Sequence, residues 1–411
     1  MKLPVIFILL TVMIDAMGIG LIVPVMPDLI QEVQGMGLGL GTAALWGGVL
    51  STTFAAMQFL FGPLLGALSD RYGRRPILLV SLVVLAFDYL VMAVAGTIWL
   101  LFLGRIVGGI TAATQSTANA YMADISKPEQ KAANFGLIGA AFGIGFVLGP
   151  AMGGLLAEYG TRAPFYAAAG LAAANAIFGY IVLKETVDDR IRRPFTWARA
   201  NPFGLFRHLA KLPGLGPLLL VFFIYQVAFI VYPAIWAYYT TERFDWSPGM
   251  VGLSLSLFGF SMAVVQGGLI RPMLRVLGER GAVVYGHIAD VGVFLLIGFV
   301  SSGTWLLILT PLAALPAVIT PALQGIMSKA VGDDEQGELQ GALTSIAALA
   351  MIVSPMLMTS VFHTFTTPET GVYLPGAPFL LAAVLIAVAL MVFVRGARTA
   401  ASPRVSGSTA P

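Results

Sequence analysis

Apolar residues recur along this chain in runs of about 20, the length that a bilayer core of about 30 Å demands of a spanning helix. Twelve such runs can be counted, at roughly 3–24, 43–68, 76–96, 98–123, 132–157, 164–183, 214–239, 249–270, 281–301, 303–328, 339–363 and 376–395. They predict an all-α membrane protein of twelve transmembrane helices. Pro and Gly inside several runs do not argue against helix, because neighbouring helices satisfy the backbone groups they free. The first run is too long and too lightly flanked for a cleavable signal peptide, and Asp15 at its centre argues against one, so a retained helix is expected.

Composition agrees with this solvent. The chain is 58% hydrophobic and 10% charged, whereas a soluble core of this size would need many more polar surface residues. There is no cysteine, which excludes disulfides and thiolate metal sites. Charge then sets orientation. With the amino terminus in the cytoplasm, 20 of the 23 Lys and Arg residues fall in cytoplasmic segments, leaving Arg162 and Arg243 outside and Arg105 within the membrane. That bias predicts both termini in the cytoplasm. The net charge of +3 therefore reports topology and not a nucleic-acid partner, because the basic residues are spread over alternate loops.

The chain divides in two. Residues 1–184 hold the first six runs, 185–213 form an Arg- and Pro-rich cytoplasmic linker, 214–395 hold the second six, and 396–411 form a cytoplasmic tail. The halves echo one another weakly: Gln58 and Pro63 precede LSDRYGRR at 68–75, Gln266 and Pro272 precede LRVLGER at 274–280, and Asp88 or Asp290 follows in the next run. Paired six-helix halves suggest a transporter that rocks about a site at the midplane.

Ionisable residues inside the apolar runs are costly and read as functional by default. Asp88 and Arg105 lie about eight and seven residues from the outer ends of their runs, hence at similar depth, and are expected to pair. The plain reading of the pair is a static structural bridge. Asp15 has no cation within a turn, which suits substrate or proton handling. Asp290 is the strongest proton-carrier candidate. His287 at i−3 shares its helix face, where it could tune proton affinity or merely pack. His208 and His363, in or near loops, carry no signal. Amides in spans need partners, so Gln58, Gln115, Gln226, Gln266 and Gln324 are interhelical glue or substrate ligands.

Several motifs carry a family resemblance. GALSDRYGRRP at 66–76 resembles the loop signature of the major facilitator superfamily, GRIVGGITAA at 104–113 its fourth-span Arg motif, and GAAFGIGFVLGPAMGG at 139–154 the fifth-span motif of its proton-coupled antiporters. LLTVMIDAMGIGLIVPVMP at 9–27, FDYL at 87–90, ERFDWSPGMVGLSL at 242–255, IAD at 288–290 and PALQG at 321–325 are similar to the bacterial tetracycline/proton antiporters in particular. The resemblance runs through nearly the whole chain.

Physical readings of these motifs complement the resemblance. Gly66 and Gly73 would permit close helix approach and a tight turn. Asp70 could meet the positive helix end at the start of span eleven and latch the halves together on the inside, with Arg71, Arg74 and Arg75 as latch partners or plain positive-inside anchors. Gly139, Gly143, Gly145, Gly149, Gly153 and Gly154, with Pro150, form a nearly side-chain-free stripe suited to tight packing. The family resemblance implies that this packing seals the interface between halves against proton leak. It also carries Gln58, Gln266 and Gln324 over as drug-contacting amides, and implies for Asp88 and Arg105 a switch in which Arg105 changes partner as the proton moves. The chain departs from the family pattern at Met262, where those exporters usually carry His, at Ile230, where a Gln is usual, and at Gln115, where a Gly is usual. Met262 would make the pocket more apolar and less selective.

The resulting expectation is an antiporter that exports tetracycline-like drugs in exchange for protons from the bacterial cytoplasmic membrane. No cofactor is bound permanently; a proton gradient drives the cycle, and Mg²⁺ enters only as part of the chelated drug, as the resemblance implies. An exporter of another amphipathic drug is the alternative. An enzyme would need a nucleophile or ligand cluster within the spans, and a channel would need pore-lining charge rings. Neither is present in the sequence. The oligomeric state is left open, and a monomer accords with these features.

Overall fold

The apolar runs fold into eleven helices long and apolar enough to cross a membrane. They are seen in a computed structural model that describes residues 3–35, 37, 39–127, 130–187, 192, 194–197, 200–202, 214–332, 335–367 and 371–399. Among these there is no strand. The count of eleven and the twelve expected differ by continuity only. Pro248–Phe299 runs for 52 residues, about 78 Å of helix and more than twice the ~30 Å core. It is broken at Gly278, whose φ of 66° and ψ of 169° no helix accommodates, so it supplies both span eight and span nine. The remaining spans are one (Leu3–Gln34), two (Leu40–Tyr72), three (Arg74–Val94), four (Ile98–Ile125), five (Ala133–Ala157), six (Ala163–Val182), seven (Gly216–Phe244), ten (Gly303–Lys329), eleven (Gln336–Thr366) and twelve (Ala377–Gly396). Much of the expected linker at 185–213, with His208, and the tail from residue 400 lie outside the described residues.

Helix ends follow local chemistry. Thr97 accepts a hydrogen bond from the Leu100 N–H at the start of span four, and Ser247 does the same for Met250 at span eight, with Pro248 in the first turn. At Gly73 the backbone takes φ 116°, a conformation open to glycine, so the expected tight turn between spans two and three is present.

Spans one, four, seven and ten depart from α-helix in their interiors. Span one passes through a 3₁₀ turn at Val23–Val25, span four opens at Ala112 and Ala113, span seven is interrupted at Ile230, and span ten winds as 3₁₀ over Leu312–Val318. Proline accounts for part of this, at Pro24, Pro311 and Pro316, because its ring removes a donor and crowds the preceding turn. The same two positions of each six-helix set are affected, and broken helices at membrane depth are tolerated where they line a cavity.

Among the described residues, the two sets meet at one end. Thr52 Oγ1 donates to the Ile352 carbonyl and Ser256 Oγ to the Val147 carbonyl. Gly41 packs against His363 and Thr366, Gly48 against Pro355 and Thr359, and Gly252 against Pro150 and Gly154. All of these lie toward the end away from the chain termini. Toward the terminal end, Gly62, Gly66, Gly139, Gly143, Gly267, Gly268, Gly337 and Gly341 of the same four helices have nothing within 4 Å of where a side chain would begin. The halves are closed at the far end and splayed at the terminal end. Gly66 therefore makes no close approach in this arrangement, contrary to its expected role.

Candidate functional site

Between the halves lies a cavity of about 280 Å³. Its wall from the first half carries Asp15, Gln58, Tyr89, Arg105 and Gln115, while the second half offers Ile230, Pro233, Ala234, Ala237, Tyr238, Met351 and Pro355. The carboxylate and guanidinium on the lining both belong to the first-half wall, where they sit among many apolar residues; the second-half wall is apolar apart from one tyrosine. Each broken helix of the first half contributes: span one through Asp15 and Val23, and span four through Arg105 and the Ala112 carbonyl, which accepts a hydrogen bond from Gln58 Nε2 at 3.4 Å.

The expected ion pair is formed. Arg105 Nη2 donates to Asp88 Oδ2, with the two residues 8% and 3% exposed, and the guanidinium also meets Met92 Sδ at 2.9 Å and lies 5.2 Å from the centre of the Phe54 ring. The glycines around Arg105 are what admit the carboxylate. A methyl group at Gly104 or Gly108 would run into the Asp88 carboxylate, so GRIVGG places a cation and the notch for its anion on one helix. The pair is not fully satisfied: Asp88 Oδ1 and Arg105 Nε have no hydrogen-bond partner among the described residues.

Asp290 and His287 do not line this cavity. Both are buried in the second half. The two do not hydrogen-bond to one another. His287 Nδ1 instead contacts the Val283 carbonyl at 2.7 Å, and its ring lies 6.2 Å from that of Tyr225. The shared helix face was right, but the backbone carbonyl one turn back outcompetes the carboxylate for the imidazole. Tyr232 of span seven is stacked on Phe258 and packs at a tilt against Phe294 and Phe379. Gln226, Gln324 and Met262 are half-buried away from the cavity, and Gln266 is exposed within a π-helical turn at Val265–Leu269. Met262 thus does not set the character of this cavity; Ile230 does.

The glycine stripe of span five is split between two jobs. Gly145, Gly149 and Gly153, four residues apart, pack on the backbone of span one within the same half, at Met13, Met17 and Leu21. Pro150 and Gly154, rotated around the helix, face Gly252 and Gly249 of span eight across the interface. A single seal between halves is therefore not what the stripe forms.

At the terminal end the loop signature builds a network inside the first half. Asp70 Oδ1 accepts from Arg74 at 2.5 Å, and Arg74 also reaches Asp124 at 3.2 Å. Glu185, at the start of the linker, accepts from the backbone N–H groups of Arg74 at 2.8 Å and Arg75 at 3.2 Å. A carboxylate there completes orphan donors at a positive helix end, and a side chain on Gly73 would collide with it. Arg71 lies against the ring of Tyr72.

Residues 8–289 match the family described as Major Facilitator Superfamily. The chain belongs to this superfamily. It is 39% identical over 392 residues to the class C tetracycline resistance protein of Escherichia coli, covering 95% of this chain and 96% of that one. With the class G tetracycline resistance protein of Vibrio anguillarum it shares 40% identity over 372 residues, 90% and 93% of the two chains. Among solved structures it resembles the human organic anion transporter MFSD10 (TETRAN), with a TM-score of 0.69, 26% identity and coverage of 96% and 100%. As a member of the superfamily, this is a multi-pass membrane transporter of a small molecule.

Among the cavity residues not read from the sequence are its two tyrosines. Tyr89 lies with its hydroxyl against Gly18; its position beside Asp88 in FDYL was the available signal. Tyr238 gave none, being one of several aromatics in a single apolar run.

Proposed function

We propose that the protein is a proton-driven antiporter that exports tetracyclines, as their divalent-metal chelates, by alternating access across the bacterial cytoplasmic membrane. The observation that carries this reading is a near full-length identity of 39% to a tetracycline resistance protein. The cavity is suited to such a cargo: a carboxylate and amides on one wall can meet a cationic metal chelate and its oxygen-rich edge, and the apolar wall can cover a ring face. On this reading the terminal end faces the cytoplasm, which the basic bias of its loops supports, and the splayed arrangement is the inward-open one, ready to load.

Ile230, 6% exposed and on the cavity wall, favours a second reading in which another amphipathic drug is the cargo. Expression in a drug-sensitive bacterium tested against an antibiotic panel separates the two. The expected result is a several-fold rise in the inhibitory concentration of tetracycline; an unchanged value with resistance to an unrelated drug selects the second reading.

Alternating access gives Asp70 a role once the terminal end closes, when the start of span eleven approaches it. Asp70→Asn is expected to raise the inward-open fraction and lower transport while binding from the cytoplasmic side survives. Helix-end charge interactions of about 0.3–1 kcal/mol, or ~2 when partly buried, correspond to a roughly two- to thirtyfold change in the state ratio. Single cysteines introduced at the inner gate of this cysteine-free chain report the change, and loss of transport with unaltered labelling rules the latch out.

A further inference from the structure

Tyr238 belongs to the second half, yet its hydroxyl sits in a notch of the first. It is 5% exposed, and the side chain that Gly47 lacks would occupy the place of its hydroxyl and outer ring edge. Gly47 lies in the part of span two that meets span eleven at the closed far end, so this contact is part of the gate. The same residue lines the cavity, and its hydroxyl has no hydrogen-bond partner among the described residues. Buried hydroxyls are normally paired, since leaving one unmade forfeits its interactions with water. A backbone carbonyl satisfies the comparable hydroxyl of Tyr239 one residue on, which donates to Ile297. Of the buried hydroxyls without a hydrogen-bond partner among the described residues, those of Thr117, Tyr232 and Tyr238, Tyr238 is the one that lines the cavity.

We infer that Tyr238 is a substrate-contacting residue that donates a hydrogen bond to an acceptor oxygen of the cargo and thereby ties cargo binding to the closed far gate. The inference rests on the export reading above, with an oxygen-rich drug as cargo. Its logic is differential: Tyr238 reaches the cavity while its hydroxyl is lodged at Gly47, so a ligand bonded to it stabilises the gate-closed state over the open one. Of the polar groups named on the cavity wall, it alone comes from the second half, so a ligand bonded to it and to Asp15 spans both halves.

The test uses the full-length protein, purified and titrated with tetracycline in the presence of Mg²⁺. Tyr238→Phe keeps the ring and its packing and removes only the donor. Binding is expected to weaken about two- to tenfold, the range that one net hydrogen bond supports. A second readout uses Ala234→Cys as the sole thiol, labelled from the far side by an impermeant reagent. Tetracycline should slow this labelling in the parent and slow it less when Tyr238→Phe is added. Gly47→Ala, which evicts the hydroxyl from its notch, should speed labelling without drug. Equal affinity and equal drug protection in the Tyr238→Phe protein overturn the inference, as does a Gly47→Ala protein that labels and binds like the parent. A parent that does not bind tetracycline strikes at the export reading instead.

Discussion

Replacing Arg105 with alanine is expected to destabilise the protein by about 3–5 kcal/mol, the cost of leaving a buried carboxylate without its cation. Asp88 lies in the notch between Gly104 and Gly108 with one oxygen already unpartnered, so it has no second cation to turn to among the described residues. Thermal unfolding in detergent measures the loss. Neutralising both partners, as Asp88→Asn with Arg105→Gln, should restore most of the stability, because no unpaired charge remains. Transport separates the static bridge from the switch. A pair whose members exchange partners during the cycle cannot be replaced by two amides, so the double variant is expected to be stable and inactive. Restored transport would refute the switching role.

Asp290→Asn is expected to abolish drug-driven proton movement in inverted vesicles while the protein remains folded and inserted. The amide can still hydrogen-bond, but it cannot alternate between charged and neutral forms. Its burial away from the drug cavity sharpens the prediction: drug affinity should change little while coupling is lost altogether. Normal proton-coupled uptake by the variant would remove Asp290 as the carrier. A joint loss of binding and coupling would place the residue in contact with the drug in another state of the cycle.

The twelve spans and the Asp88–Arg105 pair were legible in the sequence because both depend on distance along a helix axis, which a fixed rise per residue converts into depth. Rotation about that axis was not legible. His287 and Asp290 share a face by spacing, yet the imidazole turned to Val283; the glycines of span five fall into two faces whose partners are set by neighbouring helices. Gln226, Gln266 and Gln324 missed the cavity for the same reason, since a polar side chain in a span announces that it needs a partner and not where the partner is. Glu185 read as the first residue of a linker, because capping of a helix that begins 111 residues earlier leaves no local pattern.

The division of the cavity into a charged wall and an apolar wall carries an evolutionary consequence. The ionisable side chains on the cavity wall, Asp15 and Arg105, come from spans one and four, whereas Ile230, Ala234, Ala237 and Met351 come from spans seven and eleven. On the export reading, the apolar second-half surface is free to drift in size and shape under antibiotic selection without disturbing Asp15 and Arg105 opposite. Resistance variants with a widened drug spectrum should, on that reading, accumulate changes on that surface first, and a compound designed to escape export is best altered at the edge expected to meet Asp15, where the transporter would have least room to adapt.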